Sequence, residues 1–295
     1  MKTAIVRLLI AGVLAAGLRG EAVAQEVVAV LSSESAPYEE AFAGVQEAYG
    51  RPIPVYSLSH GKPDIPDDVR VIVAIGGQAA VFPYRRPDAA LVYCVAPGIY
   101  LEGQENARLI GKVYVSPPPA VLLRRLRELQ PGLRRLAAFW VDASALSYGD
   151  ALKAEGLRQG ITLRTARLGT AQALPEELRA LRGRVDALWL PPDPLLINPE
   201  SFSVARQFCW DNGLPLYVSI DTLADKGAAA AVFVSFRDMG RRAGTLAAQA
   251  AAGSSKTDAA AFGDHVSVTV NISAAKRSGL AISAGALSRA DRVMP

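Results

Sequence analysis

Short apolar runs rich in β-branched residues alternate along this chain with longer stretches of helical period. That alternation restricts the fold to α/β layers built on parallel sheets. Residues 27–31 read as a first buried strand, and Pro37 opens a helix running to Tyr49, where a proline in the first turn gives up an N–H that would be unpaired anyway. Further strands follow at 55–58, at 69–75 ending in Gly76-Gly77-Gln78, at 90–95 stopped by Pro97-Gly98, and at 112–116 halted by prolines 117–119.

After those prolines the cycle begins again. Residues 120–129 place Val121, Leu122, Leu126 and Leu129 at helical spacing, with Arg124, Arg125, Arg127 and Glu128 on the other side. A strand at 136–141 ends at Asp142-Ala143-Ser144, and a helix at 148–159 leads to a strand at 161–166. A helix at 176–181 precedes a strand at 187–190, which stops at Pro191-Pro192-Asp193-Pro194. A helix at 201–211 then precedes a strand at 216–220 ending at Asp221-Thr222. One more strand-like run (228–235), an Ala-rich helix (237–252) and an alternating strand (265–272, with Val266, Val268, Val270 and Ile272) complete the pattern.

If the chain crosses between two bodies near residues 117, 235 and 265, each body is assembled from separate segments. The expected architecture is α/β, with two Rossmann-like lobes of parallel sheet joined by a three-segment hinge. The lobes comprise 25–117 plus 236–262 and 118–235 plus 263–295. Ligands of parallel α/β sheets sit at the carboxyl ends of the strands, so the polar residues at those ends are the candidates for a site.

The first 24 residues set the compartment. Lys2 and Arg7 precede the apolar run 8–18, and Ala22-Val23-Ala24 offers the small residues of a signal-peptidase site, so export to the periplasm with cleavage after Ala24 is expected. The run is too short to span a bilayer. No cysteine stands near the cleavage site, which argues against a lipid anchor.

A chain of 295 residues that is 51% hydrophobic and only 20% charged has apolar material for two cores. Its net charge of +4 falls by two when the leader is removed with Lys2, Arg7, Arg19 and Glu21, and so small a surplus is no footprint for nucleic acid. Cys94 and Cys209, about 115 residues apart, fit small core hydrophobes in different lobes better than a disulfide, although the compartment permits one. The two histidines, His60 and His265, have no second ligand at metal spacing, so neither a metal nor another cofactor is expected.

Catalysis finds little support. The chain lacks a Gly-x-Ser-x-Gly elbow and a phosphate loop, and no histidine stands near a nucleophile. Asp193 and Asp221 have the residue type for an acid-base pair, but nothing in their setting asks for hydrolysis.

Three stretches, Val185-Asp186-Ala187-Leu188-Trp189-Leu190-Pro191-Pro192-Asp193, Lys226-Gly227-Ala228-Ala229-Ala230 and Asp238-Met239-Gly240-Arg241-Arg242-Ala243-Gly244, resemble the substrate-binding proteins of ABC importers. The resemblance is to the group with tryptophan- and tyrosine-binding members. Ile75-Gly76-Gly77-Gln78-Ala79-Ala80 is similar to that family's strand-end loop, with Gly77-Gln78 where Thr-Pro is usual. Order and spacing correspond over nearly the whole mature chain.

The resemblance implies a type I periplasmic-binding fold, a small-molecule ligand, an inner-membrane permease as partner, and action as a monomer. It maps ligand-binding positions onto Gln78, Asp193, Asp221 and the pair Ser235-Phe236, which stands where a tyrosine is common.

The residues themselves add candidates. Asp193 is flanked by prolines that fix its backbone and suits an ammonium or hydroxyl group, although an aspartate capping the next helix reads equally from the sequence. Asp221 faces the same choice. Ser32, Ser33 and Ser35 stand before the first helix, a place for a carboxylate, and Tyr38 and Tyr148 are rings at helix starts able to stack on a flat solute. Gly77, Asp142 and Ser144 complete the strand-end set.

These loops are poor in Arg and Lys, which disfavours phosphate. Their many small apolar residues suit a partly apolar solute, an aromatic amino acid or something similar. The alternative is a ligand-presenting sensor for a membrane kinase or a TonB-type system, with the same fold and no transport.

Overall fold

The computed structural model describes residues 26–99, 101, 107–143, 146–253 and 260–295. Its first half runs β1 (Val27–Leu31), α1 (Ala36–Tyr49), β2 (Val55–Ser57), β3 (Val71–Ile75), α2 (Gly77–Val81), β4 (Arg86–Cys94) and β5 (Ala107–Val113). The second set comprises α3 (Pro119–Leu129), β6 (Arg135–Trp140), α4 (Leu146–Gln159), β7 (Thr162–Arg167), α5 (Leu174–Arg179), β8 (Ala187–Leu190), α6 (Pro199–Asp211), β9 (Leu216–Val218), α7 (Thr222–Asp225) and β10 (Ala230–Phe233). Next come α8 (Phe236–Ala251), β11 (Ala260–Ala261), β12 (Ser267–Asn271), α9 (Ile272–Arg277), α10 (Ala284–Leu287) and β13 (Arg292–Met294).

These strands form two sheets, ordered β11-β5-β4-β3-β1-β2 and β13-β12-β10-β9-β8-β6-β7. Every pairing in the first sheet is parallel, with β1 held between β2 and β3 so that Ala29 lies beside both Val55 and Val73. The second is parallel except where β12 runs antiparallel to β10. Strands covered on both faces read as unbroken apolar runs, and β1, β3 and β8 are buried along their whole length. The expected two-lobed α/β architecture is thus the observed one.

The chain passes from the second sheet back to the first through α8. That helix follows β10 in sequence, yet it packs lengthwise on α1 and against β3, β4 and β5. The helices touch backbone to backbone: a Cβ added at Gly240 would stand 1.8 Å from the Ala41 carbonyl oxygen, and one at Gly44 would stand 2.1 Å from that of Arg237. Any side chain there forces the helices apart. At the exposed margin Glu47 pairs with Arg237 and, at 3.3 Å, with Arg241.

Several short elements escape the periodicity. Gly76-Gly77-Gln78 looks like a loop in sequence, but Gly76, at φ +96°, ends the strand and Gly77 and Gln78 begin the five-residue α2. β11, β13, α9 and α10 span two to six residues, too few to imprint a period. Cys94 and Cys209 are free and buried in different apolar clusters, and burial pushes the Cys94 thiol up to about 12.

Candidate functional site

The carboxyl ends of the two sheets meet across a cleft with about 490 Å³ of empty space, its open mouth included. From the first sheet come Ala96, Pro97 and Gly98 after β4, and Lys112 near the end of β5. The segment leaving β5 adds Tyr114, Val115 and Ser116. From the second sheet come Trp140 and Asp142 at the end of β6, Tyr148 on α4, and Pro191, Pro192 and Asp193 after β8. The walls approach each other at Gly98, in a left-handed conformation at φ +79°, where an added Cβ would stand 2.9 Å from Asp142 Oδ2.

Aromatic rings form one side of this space. Tyr114 stacks on Phe262 at 4.7 Å between centroids, and Tyr148 lies within 6.3 Å of Tyr114 and 6.0 Å of Trp189. Trp189 meets Trp140 edge-on at 6.2 Å. Tyr114 and Phe262 sit on two different segments that join the sheets, so this chain of rings runs from the joining segments to the cleft wall. Burial holds the Tyr148 phenol well above the ordinary tyrosine range, and its neutral Oη donates to the Pro117 carbonyl at 2.7 Å.

Two charged groups flank the rings. The Lys112 ammonium donates to the Ile99 carbonyl at 3.1 Å and lies 5.1 Å from the Tyr114 ring centroid, a cation–π distance. Asp142 faces it from the second sheet's wall.

Asp193, 3% exposed, accepts backbone N–H bonds on both oxygens: Val141 at 2.7 Å and Asp142 at 2.9 Å on Oδ2, Leu195 at 2.8 Å and Leu196 at 3.1 Å on Oδ1. The flanking prolines contribute no N–H of their own, which leaves these four amides for the carboxylate. The turn continues into α6 through the reciprocal cap between Asn198 and Ser201.

Of the candidates read from sequence, Asp142, Tyr148 and Asp193 converge on this cleft. A second group gathers at the ends of β1 and β3. The buried Ser32 Oγ accepts the Ala79 N–H at 2.9 Å, and Ser33 Oγ stands 3.5 Å from Ser35 Oγ. Ser35 precedes α1, Tyr38 leans against Gly76, and Gln78 is exposed. Gly77 faces Ile99, whose carbonyl holds Lys112.

The remaining candidates lie elsewhere. Asp221 pairs with Arg292 at 3.0 Å, and Asp225 pairs with the same guanidinium. Ser235 caps α8, with its Oγ 2.5 Å from Asp238 Oδ2 and 3.0 Å from the Asp238 N–H. Phe236 packs on the main apolar cluster. Ser144 and the leader lie outside the described residues.

Lys112, Tyr114 and Trp140 line the cleft without having been singled out as site residues. Trp140 and Lys112 hide within strands, and Tyr114 reads as strand interior because the run 112–116 looks continuous. In fact β5 ends at Val113, which makes Tyr114 the first residue of a joining segment.

The model of the ABC transporter substrate binding protein family matches residues 124–294. No curated protein is significantly similar. Among solved structures, an ABC domain from Streptococcus pneumonia in complex with L-Trp is 16% identical, with a TM-score of 0.60 over 91% of this chain and 100% of that one. A substrate binding protein with adhesive properties from Clostridium difficile, in its ligand-free, open form, is 16% identical, with a TM-score of 0.63 over 90% and 98%. A conserved domain protein from Vibrio cholerae is 15% identical, with a TM-score of 0.60 over 91% and 99%. Likenesses this distant establish the type I periplasmic-binding fold. The family match spans more than half the chain, and this protein belongs to the ABC transporter substrate binding proteins.

Proposed function

We propose that the protein works in the periplasm, where it captures a small, partly apolar solute, an aromatic amino acid or a molecule of similar shape, and delivers it to an ABC permease. The observation that carries this reading is the cleft itself, where the rings of Tyr114, Trp140 and Tyr148 stand with an ammonium, Lys112, and a carboxylate, Asp142. Apolar walls with a few convergent polar groups are the usual composition of a small-molecule site. Groups of both signs suit a zwitterion, its carboxylate toward Lys112 and its amine toward Asp142, while its side chain stacks on the rings.

Segments near residues 117, 235 and 265 serve as hinges, and affinity arises from closure around the solute with no bond made or broken. The leader ahead of Gln25, read as a signal peptide, accounts for the location.

Titration calorimetry with L-tryptophan, L-tyrosine and L-phenylalanine tests the reading. Saturable binding of at least one is expected, weakened about tenfold or more in Lys112→Met. Silence with all three, with binding of a solute that lacks both an aromatic ring and a charge, overturns it.

A further inference from the structure

The four amides that meet Asp193 come from two different loops. Val141 and Asp142 follow β6, whereas Leu195 and Leu196 follow β8, and the 3%-exposed carboxylate joins them. An ionised carboxylate offers about four lone-pair directions, and here each is met by an N–H. Such a group has little capacity left for a solute's amine. Its position at the cleft wall does, however, decide where the backbone of Asp142 lies, and with it where the Asp142 carboxylate stands opposite Gly98.

We propose that Asp193 is a positioning residue for solute capture: it clasps the β6 and β8 loops together and so presents Asp142 at the cleft. This rests on the reading of the cleft as the solute site. An amide at position 193 keeps the shape but turns a donor NH₂ toward two of the four N–H groups, so the clasp opens on one side while the volume is conserved. The loop after β6 then loses the geometry that aims Asp142.

A double-mutant cycle separates this role from a general structural one. L-tryptophan affinity is measured by calorimetry for wild type, Asp193→Asn, Asp142→Asn and the double variant. The expected result is a loss of tenfold or more in Asp193→Asn and little further loss when Asp142→Asn is added, because both changes disable the same contact. Losses that multiply, or wild-type affinity in Asp193→Asn, overturn the proposal. If Asp193→Asn does not fold, Asp193→Ser takes its place in the cycle.

Hydrogen exchange of the ligand-free protein keeps this proposal apart from the ligand reading. Faster exchange at the amides of Val141 and Asp142 in the variant, with wild type silent toward L-tryptophan, retains the clasp and discards the solute class. Unchanged exchange at those amides overturns the clasp.

Discussion

The loops after β8 and β9 look alike in sequence and differ in the folded protein. Each ends a buried strand, each carries an aspartate, and each leads into a helix. Asp193 is buried at the cleft and saturated with backbone amides, whereas Asp221 remains partly exposed and pairs with Arg292, a guanidinium it shares with Asp225. Strand order makes the difference, because β8 lies between β9 and β6, the strand whose end carries Asp142. A carboxylate on the loop after β8 can therefore reach the amides after β6, and one on the loop after β9 is a strand further away.

The widest gap between the two is expected on truncation. Asp193→Ala takes the acceptor from four backbone N–H groups, one buried and three partly buried, and a loss of about 3 kcal/mol or more in denaturant unfolding follows. Asp221→Ala removes one partner of an exposed pair. Equal losses would break the contrast.

Tyr148→Phe extends the test to another buried polar contact, since it leaves the Pro117 carbonyl without its phenol donor and should cost about 1–2 kcal/mol. That cost, like the one at Asp193, should not change between low and high salt in the same unfolding experiment.

Asp186 is an intermediate case. Partial burial acts to raise its pKa, but hydrogen bonds from the Arg135 guanidinium and from the Arg134 and Arg135 amides outweigh it and hold the carboxyl below the usual range. A depressed folded-state value means stability that is present above the unfolded value of roughly 3.9 and is lost as pH falls through the folded one. Asp186→Asn should cost about 1 kcal/mol near neutrality. Unfolding followed against pH should show that difference shrinking below about pH 4.

The smallest effect is expected at the exposed cluster itself. Asp221→Ala and Arg292→Gln should each cost about 0.5 kcal/mol, and salt should reduce that further. A loss above about 2 kcal/mol in thermal unfolding would show that this pair carries more than its exposure allows.

The layered architecture was legible because long apolar strands and amphipathic helices each repeat over enough residues to show a period. Val27–Leu31 and Ala187–Leu190 read from sequence with the bounds they have in the fold. The four-residue β10 and the two-residue β11 were blurred or lost, since their pairing depends on partners distant in the chain. At the site, the sequence gives the residue types that gather at strand ends. Which ends face one another follows from strand order, and that is why Asp142 and Asp193 meet while Asp221 does not. Lys112 was hidden for a related reason: a charged residue inside an apparent strand reads as an outward-facing one until the sheet's carboxyl edge is known to form a cleft wall.

The seam between α1 and α8 bears on how the protein comes to be folded. Glu47 and Arg237 are 190 residues apart, and the glycine contacts beside them admit no substitute packing. The amino-terminal body therefore lacks one of its covering helices until nearly the entire polypeptide is available to fold. Closing so long a loop is slow, and in the interval the apolar flank of α1 is exposed to other chains. The carboxyl-terminal body has most of its strands in one continuous stretch and has no such wait, so maturation should finish with the first-made half.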